Sequence, residues 1–67
     1  MKSDVTISNH GSIFLFHPES QAGREFLSEH APEEAQWWGL ALVVEHRYAD
    51  DWAGHVLDAG LAIGGRA

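Results

Sequence analysis

The stretch Val5-Thr6-Ile7-Ser8-Asn9-His10-Gly11-Ser12-Ile13-Phe14-Leu15-Phe16-His17-Pro18 decides the fold class. Val5 to Ser8 alternates apolar and polar residues, the period of a strand with one buried face. Asn9-His10-Gly11 follows, and Asn and Gly both tolerate the positive φ of a tight turn. Ser12 to His17 is rich in β-branched and aromatic residues, and Pro18 ends the run because it has no N–H to give to a ladder. The segment predicts a β-hairpin.

The pattern changes period after Pro18. Ser20 is a good N-cap for a helix over about Gln21 to His30. Ala22, Phe26 and Leu27 make its apolar stripe, and Gln21, Glu25, Ser28 and Glu29 its polar side. Ala31-Pro32 closes it, since the residue before proline avoids the α region. Glu33-Glu34-Ala35-Gln36 is a polar connection. Trp37 to Val44 reads as a third strand from its length, its β-branched end and Gly39. A second helix is predicted over about Arg47 to Ala59, with Tyr48, Ala49, Trp52, Ala53, Val56 and Leu57 as its stripe. Gly60 suits the C′ position. Leu61-Ala62-Ile63 is a candidate short edge strand, and residues 1–3 and 64–67 read as tails.

The order β-β-α-β-α, with or without the last short strand, gives an α+β class. Two helices would cover one face of a three- to four-stranded, mainly antiparallel sheet in one two-layer domain spanning 1–67. The second and third strands are apolar on both sides. Ile13 and Leu15 oppose Phe14 and Phe16, and Trp38, Leu40, Leu42 and Val44 oppose Trp37, Gly39, Ala41 and Val43. One helical layer covers only one such set. Either loops and tails cover the other, or it is a partner or self-association surface containing Trp37.

With 67 residues and no cysteine, the core must come from the chain's own apolar side chains. These make up 45% of the residues and include three Trp and three Phe, enough for one small core. Absence of cysteine fits a cytoplasmic setting. The N-terminus has no apolar h-region, and the longest apolar run, Trp37 to Val44, is far shorter than the ~20 residues of a membrane span.

Charge narrows the function. Ten acids face four bases, for a formal charge of −6. Two of those bases, Lys2 and Arg66, lie near the ends. From Ser3 to Ile63 ten acids stand against Arg24 and Arg47, a formal −8. Such a domain is repelled by nucleic acid and anionic membranes and attracted to basic surfaces. The acids group as Glu25 and Glu29, Glu33 and Glu34, and Asp50, Asp51 and Asp58. Spread over a small rigid body, they can resemble the phosphate array of a duplex. The alternative is a charged face that only solubilises.

Catalytic signals are weak. The chain has no thiol, no G-x-S-x-G elbow and no glycine-rich phosphate cradle. Its five histidines, His10, His17, His30, His46 and His55, form no H-x-x-x-H pair. Asp51 and His55 stand i, i+4 on the second helix, but two ligands do not make a metal site. The carboxylate pairs lie on polar faces or loops, which suits solvated charges and not a buried acid or base. The expectation is a non-enzymatic protein with no cofactor and no metal.

Three segments carry a resemblance: Ser12-Ile13-Phe14-Leu15-Phe16-x-Pro18, Ala22-Gly23-Arg24-Glu25-Phe26-Leu27, and Ala35-Gln36-Trp37-Trp38-Gly39-x-Ala41-Leu42-Val43-Val44-Glu45-x-Arg47-Tyr48. From about Val5 to Leu61 the chain resembles a family of short proteins encoded by bacterial phages and mobile elements. Within it, the chain is similar to type I-C anti-CRISPR proteins, small acidic inhibitors of the Cascade surveillance complex. The resemblance implies binding to basic surfaces of Cascade and a block to target DNA, without catalysis and without direct contact to nucleic acid or membrane. Charge, and not a motif, selects Glu25, Glu29, Glu33, Glu34, Asp50, Asp51 and Asp58 for the contact, with Trp37 or another exposed aromatic as its anchor. The other reading is an acidic regulatory or accessory interaction module of a mobile element, either monomeric or homo-oligomeric, with the apolar face as its active surface.

Overall fold

A computed structural model describes residues 3–66. The hairpin forms from β1 (Val5–Asn9) and β2 (Ile13–Pro18), paired antiparallel with Ile7 opposite Phe16. The Asn9 side chain accepts the Gly11 N–H at 2.9 Å, and Gly11 takes φ 87°, so both turn residues act as their chemistry suggests.

Helix α1 (Gln21–His30) starts where expected. The Ser20 hydroxyl accepts the Gly23 N–H at 3.0 Å. Its inward stripe differs by one residue from the sequence reading. Ala22 is exposed, and Gly23 is buried beside Leu27, with Phe26 half-buried. The reason is a close approach: a Cβ at Gly23 would run into the backbone carbonyl of Asp4.

The third strand is two strands. Trp37–Trp38 forms β3 and Ala41–Glu45 forms β4, paired antiparallel with Trp37 opposite Leu42 and Trp38 opposite Ala41. Gly39 takes φ 65° and makes the turn with Leu40. Periodicity could not show this break, because the run is apolar on both sides of the turn. The turn also corrects the face assignment: Trp37 shares a side with Leu42, and Trp38 with Ala41.

A 3₁₀ turn over His46–Tyr48 precedes α2 (Ala49–Asp58), so the α-helix begins two residues later than the sequence suggests. Its stripe is narrower too. Ala49 and Val56 are buried and Trp52 and Ala53 half-buried, while Tyr48 and Leu57 are exposed. Gly60 (φ 82°) closes the helix. Its N–H donates to Leu57 and that of Leu61 to Val56, the paired bonds of a Schellman cap.

The final strand, β5 (Ile63–Arg66), runs parallel to β1, with Val5 opposite Ile63. The expected edge strand therefore lies further along, and residues 64–66 belong to it and not to a tail. Of the other expected tail residues, Ser3 precedes β1 and is half-buried, and Met1, Lys2 and Ala67 lie outside the described residues. The sheet has five strands, one more than the expected upper number, in the order β3-β4-β2-β1-β5. Three of its four pairings are antiparallel.

Both helices pack on one face. Val5, Phe16, Leu42 and Val44 of the sheet meet Leu27 of α1 and Ala49 and Val56 of α2. Phe16 meets Trp52 edge-on, with centroids 6.3 Å apart. Each fully buried large side chain contributes roughly 1.5–3 kcal/mol of transfer free energy. Among the described residues the opposite face has no second layer, yet Ser8, Leu15 and Ala41 on it are buried. The Ser8 hydroxyl bridges the Nε2 atoms of His10 and His17, at 2.9 Å each. His10 in turn meets Trp38 edge-on at 5.9 Å. Rings of this face thus shelter part of its own apolar surface.

Candidate functional site

Asp4 fixes the frame on which the surface residues stand. Its carboxylate accepts the Ser20 hydroxyl at 2.7 Å and the Ala62 N–H at 2.9 Å. These bonds, that of Ala62 first, hold its carboxyl below the ordinary aspartate range. Asp4 therefore joins β1 to the start of α1 and to the segment entering β5. It is a structural acid, and no surface reading of charge singled it out.

The seven acids named from sequence all lie on or between the two helices, and all are exposed. Glu25 and Glu29 project from α1, Glu33 and Glu34 from the connection to β3, and Asp50, Asp51 and Asp58 from α2. Since both helices cover one face, the seven share the helical side of the domain. The Gln21 amide donates to Glu25 at 3.0 Å. Among the described residues no Lys or Arg pairs with any of the seven. The ion pair there is Arg47 with Glu45 at 3.1 Å, and both partners are mostly exposed. Asp50 and Asp51 occupy the first turn of α2, where the helix dipole favours negative charge. Asp58 ends the same helix, where the dipole opposes it. Its charge does not serve the helix.

Trp37 is 44% exposed on the edge strand. The turn carries its neighbours further out, with Trp38 at 64% and Leu40 at 62% exposed. Sequence reasoning named Trp37 and no other residue of this edge by number. The signal for the other two was Gly39, which permits a hairpin tip that no second layer covers.

Two clefts meet at Tyr48 and Trp52. One, of about 440 Å³, runs between the 32–36 connection and β4, with Glu34, Val43 and Glu45 among its walls. The other, of about 260 Å³, is lined by His30, Tyr48, Asp51, Trp52 and His55. Asp51 and His55 thus do share a cleft, with His30 beside them. Among the described residues, however, no three His, Cys, Asp or Glu side chains are grouped to hold a metal ion. The Ser8 hydroxyl, though bonded to two imidazoles, is buried and presents no open nucleophile. No helix among the described residues is long and apolar enough to cross a membrane.

No protein-family model matches the sequence, and no curated protein or solved structure is significantly similar to it. Beyond the sequence resemblance, the functional reading rests on the surface itself.

Proposed function

We propose that this protein is a non-catalytic inhibitor that occupies a basic, nucleic-acid-binding surface of a protein complex. With the sequence resemblance, the target is the type I-C Cascade complex and the step blocked is target DNA binding. The observation that carries the reading is the set of seven exposed carboxylates on the helical side, none paired with Lys or Arg among the described residues. A magnitude supports it. The domain is 28 Å along its longest axis. Duplex DNA of that length carries roughly 16 phosphates at one per ~1.7 Å, about half of which face any one wall of a channel. Seven carboxylates on one side are a comparable density. Such a protein competes with DNA by the same long-range attraction, and its binding weakens steeply with salt.

The test is a gel shift of target duplex with purified type I-C Cascade, with this protein added before the DNA. Loss of the shifted band is expected. Both double reversals, Glu25→Lys with Glu29→Lys and Asp50→Lys with Asp51→Lys, should restore it. Unchanged inhibition by both variants would overturn the electrostatic reading. An intact band with the protein bound would move the block to a later step, such as nuclease recruitment.

The exposed Trp38 and Leu40 favour a second reading, an interaction module that works through its aromatic hairpin. Trp38→Ala would then abolish partner binding or self-association while the domain stays folded by circular dichroism. A concentration-independent monomer in sedimentation, with partner binding indifferent to that substitution, would remove this reading.

A further inference from the structure

Strand β3 is two residues long and pairs only with Ala41 and Leu42, leaving the rest of the five-residue β4 without a partner strand on that side. The Val43 N–H points to this side, since it donates to the Gln36 carbonyl at 3.0 Å. By the two-residue alternation of a strand, the Val43 C=O and the Glu45 N–H point the same way, while the Glu45 C=O, at the N-cap, takes the first bond of the 3₁₀ turn. Beyond Gln36 the chain turns off, and the 440 Å³ cleft opens along this edge. An open edge is a template for pairing with another chain. A natural domain commonly blunts such an edge with a lysine or a proline in the strand, and β4 has neither.

The chemistry of the walls selects the occupant. Glu34 and Glu45 supply two carboxylates, and Tyr48 and Trp52 supply two aromatic rings. Among the described residues no Lys or Arg lines the cleft. Arg47 displays the matching arrangement from within the chain. Its guanidinium donates to Glu45 at 3.1 Å and lies over the Tyr48 ring, 5.1 Å from its centroid. Because Arg47 is largely exposed, this contact is readily exchanged for another of its kind.

The geometry points to the open edge of β4, from Val43 to Glu45, as the docking site for an extended arginine-bearing segment of a protein partner. The segment adds a strand to the sheet by main-chain bonds. Alternate arginines lie between the carboxylates and the Tyr48 and Trp52 rings. This rests on the reading that the protein binds a basic partner and adds where and how the contact is made.

The test uses the whole chain and a short fluorescein-labelled peptide of alternating arginine and valine. Affinity is read by anisotropy and location by amide chemical shifts. The largest shifts should fall at the Glu45 amide and the Trp52 indole. Glu34→Gln with Glu45→Gln should weaken binding roughly tenfold, as loss of close charged partners does. Glu25→Gln with Glu29→Gln removes the same charge from α1 and should leave most of the affinity. Arg47→Ala should tighten binding several-fold, by freeing Glu45 and Tyr48. Arg24→Ala makes the same change in net charge on α1 and is the control. Equal effects of the two glutamate pairs, or of the two arginine changes, would overturn the groove and leave a diffuse acidic surface. The outcomes separate from those of the Cascade assay. Inhibition of Cascade without peptide shifts at β4 would sink the groove alone. Peptide binding at β4 with undisturbed Cascade–DNA complexes would sink the DNA-competition reading alone.

Discussion

Two glycine-to-alanine substitutions, one in each helix, should move stability in opposite directions. In an unhindered helix interior the change is favourable by about 1 kcal/mol, because alanine restricts the unfolded chain and forms helix better. Gly54 in α2 is such a site: it is exposed, and a Cβ there meets nothing within 4 Å. Gly54→Ala should raise the melting temperature by about 4–8 °C for a domain of this size. Gly23 in α1 is not. A Cβ there would overlap the Asp4 carbonyl oxygen and lie 3.2 Å from a Val5 methyl. Asp4 cannot yield, since its carbonyl also accepts the Glu19 N–H at 2.8 Å and its own N–H donates to Ala62 at 2.9 Å. The helix must therefore tilt away, straining the Ser20 cap and loosening Leu27 from the core. Overpacking costs typically 1–3 kcal/mol, and a lost cap about 1 kcal/mol. The intrinsic gain of alanine does not offset both, so Gly23→Ala should be destabilising by about 1–3 kcal/mol. Thermal melts followed by circular dichroism, with urea titrations, read both changes. If Gly23→Ala rises in parallel with Gly54→Ala, the argument for the close approach of α1 to Asp4 is wrong.

The Asp4 carboxyl titrates below its ordinary value in the folded chain, so the unfolded state binds its proton first. Its contribution is complete above the ordinary aspartate value of about 3.9 and is lost as pH falls through the lower folded value. Asp4→Asn should lower stability at neutral pH and flatten its fall below about pH 4, read from urea midpoints across pH; parallel curves for the two proteins would refute the assignment. Val56 is fully buried between α2 and the sheet. Val56→Ala should cost roughly 1–3 kcal/mol in urea unfolding, and a loss within 0.5 kcal/mol would show that the α2 contact is loose. Binding to a basic target should weaken steeply between low and physiological salt for the parent protein. The slope of log affinity against log salt should become shallower for the double reversal at Asp50 and Asp51. An unchanged slope would remove α2 from the contact.

Local chemistry was legible wherever neighbours in sequence decide conformation. The hairpin at Asn9-His10-Gly11, the cap at Ser20, the stop at Ala31-Pro32 and the turn at Gly60 all rest on residues a few positions apart, and each stands where its chemistry predicts. The exposure of the seven acids was legible for the same reason, because charge stays in water unless it is paired.

Contacts between distant segments were not legible. Gly23 replaces Ala22 on the inner side of α1 because Asp4 comes against it from β1. The Trp37–Val44 run folds back at Gly39 because β2 pairs with β4 and leaves β3 as a short edge. The strand β5 exists because β1 had an edge left to pair in parallel. The same holds for function. The sequence alone determined that the surface is acidic and that its core suffices for one small domain. The order of elements also placed two helices over one face of the sheet, whereas only the tertiary structure split the third strand at Gly39 and left the edge of β4 open beside Tyr48 and Trp52. Burial and strand pairing are settled by which surfaces meet, and that is a property of the whole chain.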